Sequence, residues 1–334
     1  MSRPCVVIAK EAYEAWRPLF DAAALPVRYA LLQDPATALV DGEACDPTQI
    51  PANAIWLTLE LLLGPLRQTC EHLLETAPDL EWAHSISAGY DSARLQNLLK
   101  RGVRLTVSHV NAIPIAEYVM RTVLDRFQRV DLTHAARARR EYPEDDFREI
   151  FGSTWLVYGV GAIGGRIGER ARAFGAHVIG VRRNPTGSEP VDEMIGPGQV
   201  FDHLGRADVV VMSVPSSGET NNLVDEAFLA RMKPGATFVN VARANLMDEA
   251  AVLAALDRGH LDYAILDVHS IEMAWLFGGK RMDDSPLWTH PKVDLTPHVA
   301  GRGAGRHRRS AELFIDNLRR YLAGERPLPD EVRL

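Results

Sequence analysis

The run Thr154-Trp155-Leu156-Val157-Tyr158 passes without a break into Gly159-Val160-Gly161-Ala162-Ile163-Gly164-Gly165, and a helical pattern continues through Ala173. A Gly-x-Gly-x-x-Gly turn carries weight in this setting, after a strand and at the head of a helix. Gly159 permits the tight turn, Gly161 lets the backbone approach a pyrophosphate, and Gly164 lets helix and strand pack closely. Ala162 and Ile163 fall in the first helical turn, where unpaired N–H groups and the helix dipole attract phosphate. The turn therefore predicts a dinucleotide site within a parallel α/β sheet.

The rest of the chain supports that architecture. Short β-rich runs alternate with longer helical patterns, the signature of stacked βαβ units. In the N-terminal third the expected strands are Cys5–Ala9, Val27–Leu31, Ala54–Leu57, Trp82–Ser87 and Val103–Thr106. Their continuous apolar character implies a sheet covered on both faces. A helix is expected from about Pro114 to Arg129, then a polar arm from Asp131 to Ile150 with weak periodicity. Six further strands follow: Thr154–Tyr158, His177–Val181, Val209–Val214, Thr237–Val241, Tyr263–Val268 and Val293–Thr296. An amphipathic helix, Arg302–Ala323, ends the pattern. With 334 residues, the fold class is α/β, as two Rossmann-like or flavodoxin-like doubly wound parallel-sheet domains.

Composition narrows the function. A net charge of −7 argues against neutralising nucleic-acid phosphates, and the basic cluster Arg302–Arg309 reads as a solvated helix face. The longest apolar run, Ala54–Leu66, includes Glu60 and is shorter than the ~18 residues of a membrane span. No basic segment followed by an apolar stretch opens the sequence, so no secretory signal is expected. Cys5, Cys45 and Cys70 are odd in number and widely spaced, which suits neither a disulfide framework nor a metal site and fits a reducing cytoplasm.

The strand after the glycine turn distinguishes the dinucleotides. An NAD site places an acidic residue at its end to bind the ribose hydroxyls. Here His177–Val181 ends in Arg182-Arg183, and no acid lies between Glu169 and Glu189. A guanidinium matches a phosphate, so Arg182 and Arg183 predict recognition of the 2′-phosphate of NADP(H), with NAD(H) as the alternative.

Three C-terminal segments carry a more specific pattern. Asn240-Val241-Ala242-Arg243 precedes Asp248-Glu249, Leu266-Asp267-Val268 precedes Glu272, and Thr296-Pro297-His298-Val299-Ala300-Gly301 comes last. With the glycine turn, this set resembles the D-isomer-specific 2-hydroxyacid dehydrogenase family, from about Ser85 to the end of the chain. The resemblance implies a substrate domain of residues 1–107 and 302–334, a dinucleotide domain of 108–301, an active-site cleft between them, and a homodimer formed through the dinucleotide domains. It also implies a small 2-oxo or 2-hydroxy acid substrate, glyoxylate and hydroxypyruvate by default.

Reducing a 2-oxo acid requires that its carboxylate be held, its carbonyl polarised, and a proton supplied to the carbonyl oxygen. Arg243 offers the fork that can clamp the carboxylate, and His298 can donate the proton near neutral pH. Glu272 would hold the imidazole in one tautomer. The resemblance assigns these three the catalytic work. It also suggests Ala88 and Gly89, in Ser87-Ala88-Gly89-Tyr90-Asp91, as backbone ligands of the substrate carboxylate. Asp267 corresponds to an aspartate that contacts the nicotinamide carboxamide, although it can equally cap the following loop. Val214, Pro215 and Ala242 resemble walls of the cofactor site.

The chain also departs from the family pattern. Ala244 follows Arg243 where glycine is usual, which would cost about 1 kcal/mol if the turn needed a left-handed residue. His269 replaces an aromatic, Met273 replaces a proline, and the segment 273–285 is long. Trp275, Leu276, Phe277, Gly278 and Gly279 there suggest either a lid admitting a bulkier acid or a contact within a dimer. A formate-dehydrogenase-like reading is disfavoured by Glu272, where that subgroup typically has glutamine. A non-catalytic dinucleotide-sensing corepressor or scaffold stands as the alternative from another class.

Overall fold

The computed structural model describes residues 3–142, 146–270 and 285–332. The chain divides into two compact units, Met1–Asn111 with Ala304–Leu334, and Ala112–Gly303.

The first unit is built on seven strands: β1 (Cys5–Ala9), β2 (Arg28–Asp34), β3 (Thr37–Val40), β4 (Glu43–Cys45), β5 (Ala52–Leu57), β6 (Trp82–Ser85) and β7 (Arg104–Thr106). They lie in the order β4-β3-β2-β1-β5-β6-β7. The β2-β1-β5-β6-β7 pairs are parallel, and β3 and β4 extend the sheet as antiparallel edge strands. Every residue of β1 is buried, as the continuous apolar run requires for a strand covered on both faces. The helix Arg306–Leu322 returns from the far end of the chain and inserts Phe314 into this core. Phe314 stacks on Trp56 at 4.8 Å and on Trp82 at 5.6 Å between ring centroids.

His84 is enclosed in the same core. Its Nδ1 lies 2.7 Å from Thr106 Oγ1, which also accepts from Trp82 Nε1 at 3.0 Å. Burial pushes the His84 imidazole down to about 3. An unfolded chain takes up a proton near pH 6.5 that the folded one refuses, so this residue costs stability as pH falls from about 6.5 toward 3. Between pH 6.5 and 4.5 a His84→Asn variant should lose about 2–3 kcal/mol less stability than the parent. Urea titrations at the two pH values measure this, and equal losses in the two proteins would exclude the effect.

The second unit carries β8 (Thr154–Tyr158), β9 (His177–Val181), β10 (Glu193–Ile195), β11 (Val209–Met212), β12 (Ala236–Asn240), β13 (Leu261–Leu266) and β14 (Val293–Leu295). All are parallel, in the order β10-β9-β8-β11-β12-β13-β14. Chain direction across the sheet reverses between β8 and β11, and such a switch point opens a ligand crevice beyond the carboxyl ends of the strands.

Some elements differ from the sequence expectation. The β3–β4 hairpin was not expected, although Asp41-Gly42 between two short apolar runs marks it. Both turn residues have left-handed φ, +54° and +87°, as a two-residue hairpin demands. The presumed polar arm contains a helix, Val130–Arg139, whose residues are polar nearly all round and so give little periodicity. The tail helix begins only at Arg306, and the cluster Arg302–Arg309 is not uniformly solvated: Arg306 and Arg309 are half-buried. Among the described residues, no helix is long and apolar enough to cross a membrane.

Candidate active site

The predicted residues of the second unit gather along one edge of its sheet. Gly159 follows β8, Val214 and Pro215 follow β11, Ala242 and Arg243 follow β12, Asp267 follows β13, and His298 follows β14. Backbone bonds knit these strand ends together. Ser213 N–H donates to Tyr158 O at 2.9 Å, Val241 N–H to Met212 O at 3.3 Å, Asp267 N–H to Asn240 O at 3.0 Å, and Thr296 N–H to Leu266 O at 2.9 Å.

The glycine turn has the shape a pyrophosphate needs. Gly159 is left-handed at φ +98°, and a Cβ there would lie 2.8 Å from Ser213 O. At Gly164 a Cβ would overlap the Gly159 carbonyl oxygen and approach Ser213 Oγ to 2.7 Å, so strand and helix meet with no room for a side chain. A Cβ on Gly161 would meet nothing within 4 Å. Gly161 caps the helix Ala162–Ala173 without a side-chain hydrogen bond, leaving the first-turn N–H groups to serve a ligand. These residues fit a dinucleotide.

Arg182 and Arg183 have different surroundings. Arg182 donates to Val160 O at 3.0 Å and to Glu189 Oε1 at 2.8 Å, and so braces the loop that follows β9. Glu189 gathers that loop: it also accepts from the N–H groups of Thr186 (2.7 Å) and Gly187 (2.9 Å). Those backbone bonds, Thr186 foremost, hold its carboxyl down to about 2. Arg183 has 66% of its side chain exposed and is paired with Glu219. Of the two arginines, it is the one presented outward.

Arg243 stands on a turn shaped by Asn240. The fully buried Asn240 amide donates to Arg243 O at 3.0 Å and accepts from Ala242 N–H at 3.0 Å. The strain anticipated at Ala244 is absent. That residue opens a short 3-10 turn, Ala244–Leu246, and is not among the left-handed positions, so the missing glycine costs nothing.

Asp267 anchors the His298 loop. It is 3% exposed, and its carboxylate accepts from Thr296 Oγ1 (2.6 Å), Val299 N–H (2.8 Å) and Ala300 N–H (3.0 Å). Burial pushes its carboxyl above the ordinary value, against the lowering effect of these donors. Tyr118 Oη lies 2.8 Å from Thr296 Oγ1, tying the preceding helix into the same network. His298 itself is exposed with a left-handed φ of +53°, and its N–H donates to Asp267 O and Thr296 O, each at 3.0 Å. A left-handed residue of this kind persists because its surroundings over-determine it.

In the first unit, Ser87 holds the turn containing Ala88 and Gly89. Ser87 O accepts from Ser108 N–H at 3.1 Å, and Ser87 Oγ donates to Gly89 O at 3.1 Å. The N–H groups of Ala88 and Gly89 donate to no protein acceptor among the described residues. Glu272 and the segment Trp275–Gly279 lie outside the described residues. His269 is buried edge-on to Trp288, and neither ring nitrogen has a hydrogen-bond partner among the described residues. Among those residues no group of histidine, cysteine, aspartate and glutamate side chains is arranged to hold a metal.

Sequence reasoning missed Asn240, Glu189 and Ser213 as supports of the site. Asn240 sat within the motif that carries Arg243, so its buried amide was within reach. Nothing in the local sequence signals the partners of Glu189 or Ser213.

Comparisons with known proteins bear on the family and the fold. Residues 119–300 match the family model described as D-isomer specific 2-hydroxyacid dehydrogenase, NAD binding domain. A D-3-phosphoglycerate dehydrogenase of Mycobacterium bovis is 31% identical over 78% of this chain and 48% of its own length. The chain thus spans about half the length of that relative. A glyoxylate/hydroxypyruvate reductase B of Klebsiella pneumoniae is 30% identical over 78% of this chain and 80% of its own. A D-isomer specific 2-hydroxyacid dehydrogenase of Xanthobacter autotrophicus Py2, solved with NADPH and MES, is 25% identical with a TM-score of 0.74. That match covers 100% of this chain and 98% of the other.

Proposed function

This chain belongs to the D-isomer specific 2-hydroxyacid dehydrogenases, and from that premise we propose that it is an NADP(H)-linked reductase of 2-oxo acids, yielding D-2-hydroxy acids. The observation that carries this reading is the convergence of the glycine turn, Arg243, Asp267 and His298 on one sheet edge.

When bound, the dinucleotide supplies the hydride. Gly161 and the first turn of the following helix hold its pyrophosphate, and Val214, Pro215 and Ala242 border it. Asp267 fixes the loop so that His298 can pass a proton to the carbonyl oxygen and recover it in the reverse direction. Arg243 clamps the carboxylate and polarises the carbonyl. In the first unit, the N–H groups of Ala88 and Gly89 are the ones we assign to a substrate carboxylate, and the family likeness gives Glu272, outside the described residues, the part of orienting the imidazole.

Arg183 reads the 2′-phosphate by exchanging Glu219 for it, while Arg182 and Glu189 keep the loop in shape. Glyoxylate/hydroxypyruvate reductase B and the NADPH complex among the similar proteins favour this cofactor and substrate class. A homodimer through the second unit accounts for the exposed apolar side chains of Leu132, Tyr142, Phe147 and Phe151. A cytoplasmic setting suits three unpaired cysteines, Cys5, Cys45 and Cys70.

Replacing Arg183 by alanine should lower the ratio of kcat/KM for NADPH over NADH by about 10- to 100-fold, the range of one charge-assisted hydrogen-bonded contact. An unchanged ratio in steady-state assays would transfer phosphate recognition to other residues.

A further inference from the structure

A cavity of about 400 Å³ opens in the first unit, within the ~300–1,000 Å³ span of small-molecule sites. Its position follows from topology. The order in which strands are added across the sheet reverses between the parallel strands β1 and β5, and the cavity is lined from just beyond both, by Glu11 and Ala12 on one side and Thr58, Leu59 and Glu60 on the other. That is the switch point of this sheet, where open α/β sheets bind ligands. Ser87, which opens the turn assigned above to the substrate carboxylate, lines the same cavity.

Part of its wall is apolar, formed by Trp16, Trp56, Leu59 and Ile86. Three lining residues carry buried polar atoms with no hydrogen-bond partner among the described residues, Trp56 Nε1, Thr58 Oγ1 and Ser310 Oγ. Two carboxylates, Glu11 and Glu60, stand against one guanidinium, Arg306, which donates to His307 Nε2 at 3.3 Å. Burial and the neighbouring Arg306 keep the His307 imidazole below its ordinary value, so it adds little positive charge near neutral pH. The charged groups at the cavity therefore sum to a negative value, which repels a second anionic group on a substrate.

We propose that this cavity receives the substituent on the carbonyl carbon of the 2-oxo acid, and that it selects an uncharged, largely apolar group larger than methyl while rejecting a phosphorylated or dicarboxylic acid. The inference rests on the reductase reading and narrows its substrate class. It also sets this chain apart from the phosphoglycerate dehydrogenases it resembles, whose names imply a phosphorylated substrate.

The test measures kcat/KM with NADPH for glyoxylate, hydroxypyruvate, 4-methyl-2-oxopentanoate, phenylpyruvate and 3-phosphohydroxypyruvate. The branched or the aromatic acid should exceed glyoxylate at least tenfold, since each buried methylene is worth about 10- to 200-fold in a fitted pocket. The phosphorylated acid should fall at least tenfold below hydroxypyruvate. Leu59→Trp, which fills the cavity, should lower the ratio of 4-methyl-2-oxopentanoate to glyoxylate at least tenfold. Ala15→Phe, at an exposed lining position, gives the same readout if Leu59→Trp fails to fold.

Preference for the phosphorylated acid, or turnover of glyoxylate with no gain from larger apolar acids, would overturn the inference and leave the reductase reading intact. Absence of turnover with every acid would overturn the reductase reading instead. Calorimetric titration with 4-methyl-2-oxopentanoate then decides the cavity: binding that Leu59→Trp weakens supports it, and no binding refutes it.

Discussion

Replacing His298 by alanine should cut turnover by about 10²–10⁴-fold while leaving NADPH affinity within about threefold of the parent. The asymmetry follows from position. His298 is exposed at the end of β14, whereas the glycine turn that holds the pyrophosphate follows β8, separated from β14 by β11, β12 and β13. Its left-handed backbone, φ +53°, complicates the alanine variant, because alanine tolerates that region poorly. His298→Asn separates the two effects, since asparagine accepts left-handed geometry and cannot transfer the proton. Both variants should be slow, and both should bind NADPH. Wild-type turnover in His298→Asn would remove the imidazole from the chemistry.

Gly164→Ala should be strongly damaging, since among the described glycines a Cβ there makes the shortest contact. The added methyl would overlap the Gly159 carbonyl oxygen, a backbone atom that cannot rotate aside, and crowd Ser213 Oγ. Ser213 Oγ already donates to Gly159 O at 2.7 Å, so the helix Ala162–Ala173 must draw away from β8. Overpacking of this kind costs about 1–3 kcal/mol or more in stability. Displacing the helix N-terminus also removes N–H groups from the phosphates, for an expected loss of NADPH affinity of about 100-fold. Gly161→Ala is the control, because a Cβ there meets nothing within 4 Å among the described residues. Any loss of affinity in that variant, with stability retained, measures how closely the ligand approaches the backbone. Equal melting temperatures and NADPH affinities for parent and Gly164→Ala would refute the packing argument.

What the sequence made legible was local. The glycine turn announces its own conformation, and the run Thr154–Tyr158 coincides with β8, whose last four residues are buried and read as an unbroken apolar stretch. The ordered motifs ending in Arg243, Asp267 and His298 marked three successive strand ends. What stayed hidden depends on partners distant in the chain. Arg182 and Arg183 look alike in sequence. One is held by Glu189 seven residues on, the other faces outward toward Glu219, 36 residues on.

Asp267 had two roles open to it, and among the described residues its carboxylate bonds to the loop bearing His298. At Ala244 an expectation borrowed from relatives failed because the 3-10 turn needs no left-handed residue. The helix Val130–Arg139 escaped notice for want of an apolar stripe. The cavity of the first unit could not be read at all, since the helix from Arg306 that closes it lies some 250 residues beyond β5.

The most direct test is steady-state oxidation of NADPH and NADH, side by side, with glyoxylate, hydroxypyruvate and 4-methyl-2-oxopentanoate, with the product resolved by chirality where it is chiral. NADPH-preferring turnover giving the D-2-hydroxy acid is the predicted result. Tight binding of either dinucleotide with no reduction of any 2-oxo acid would contradict the account.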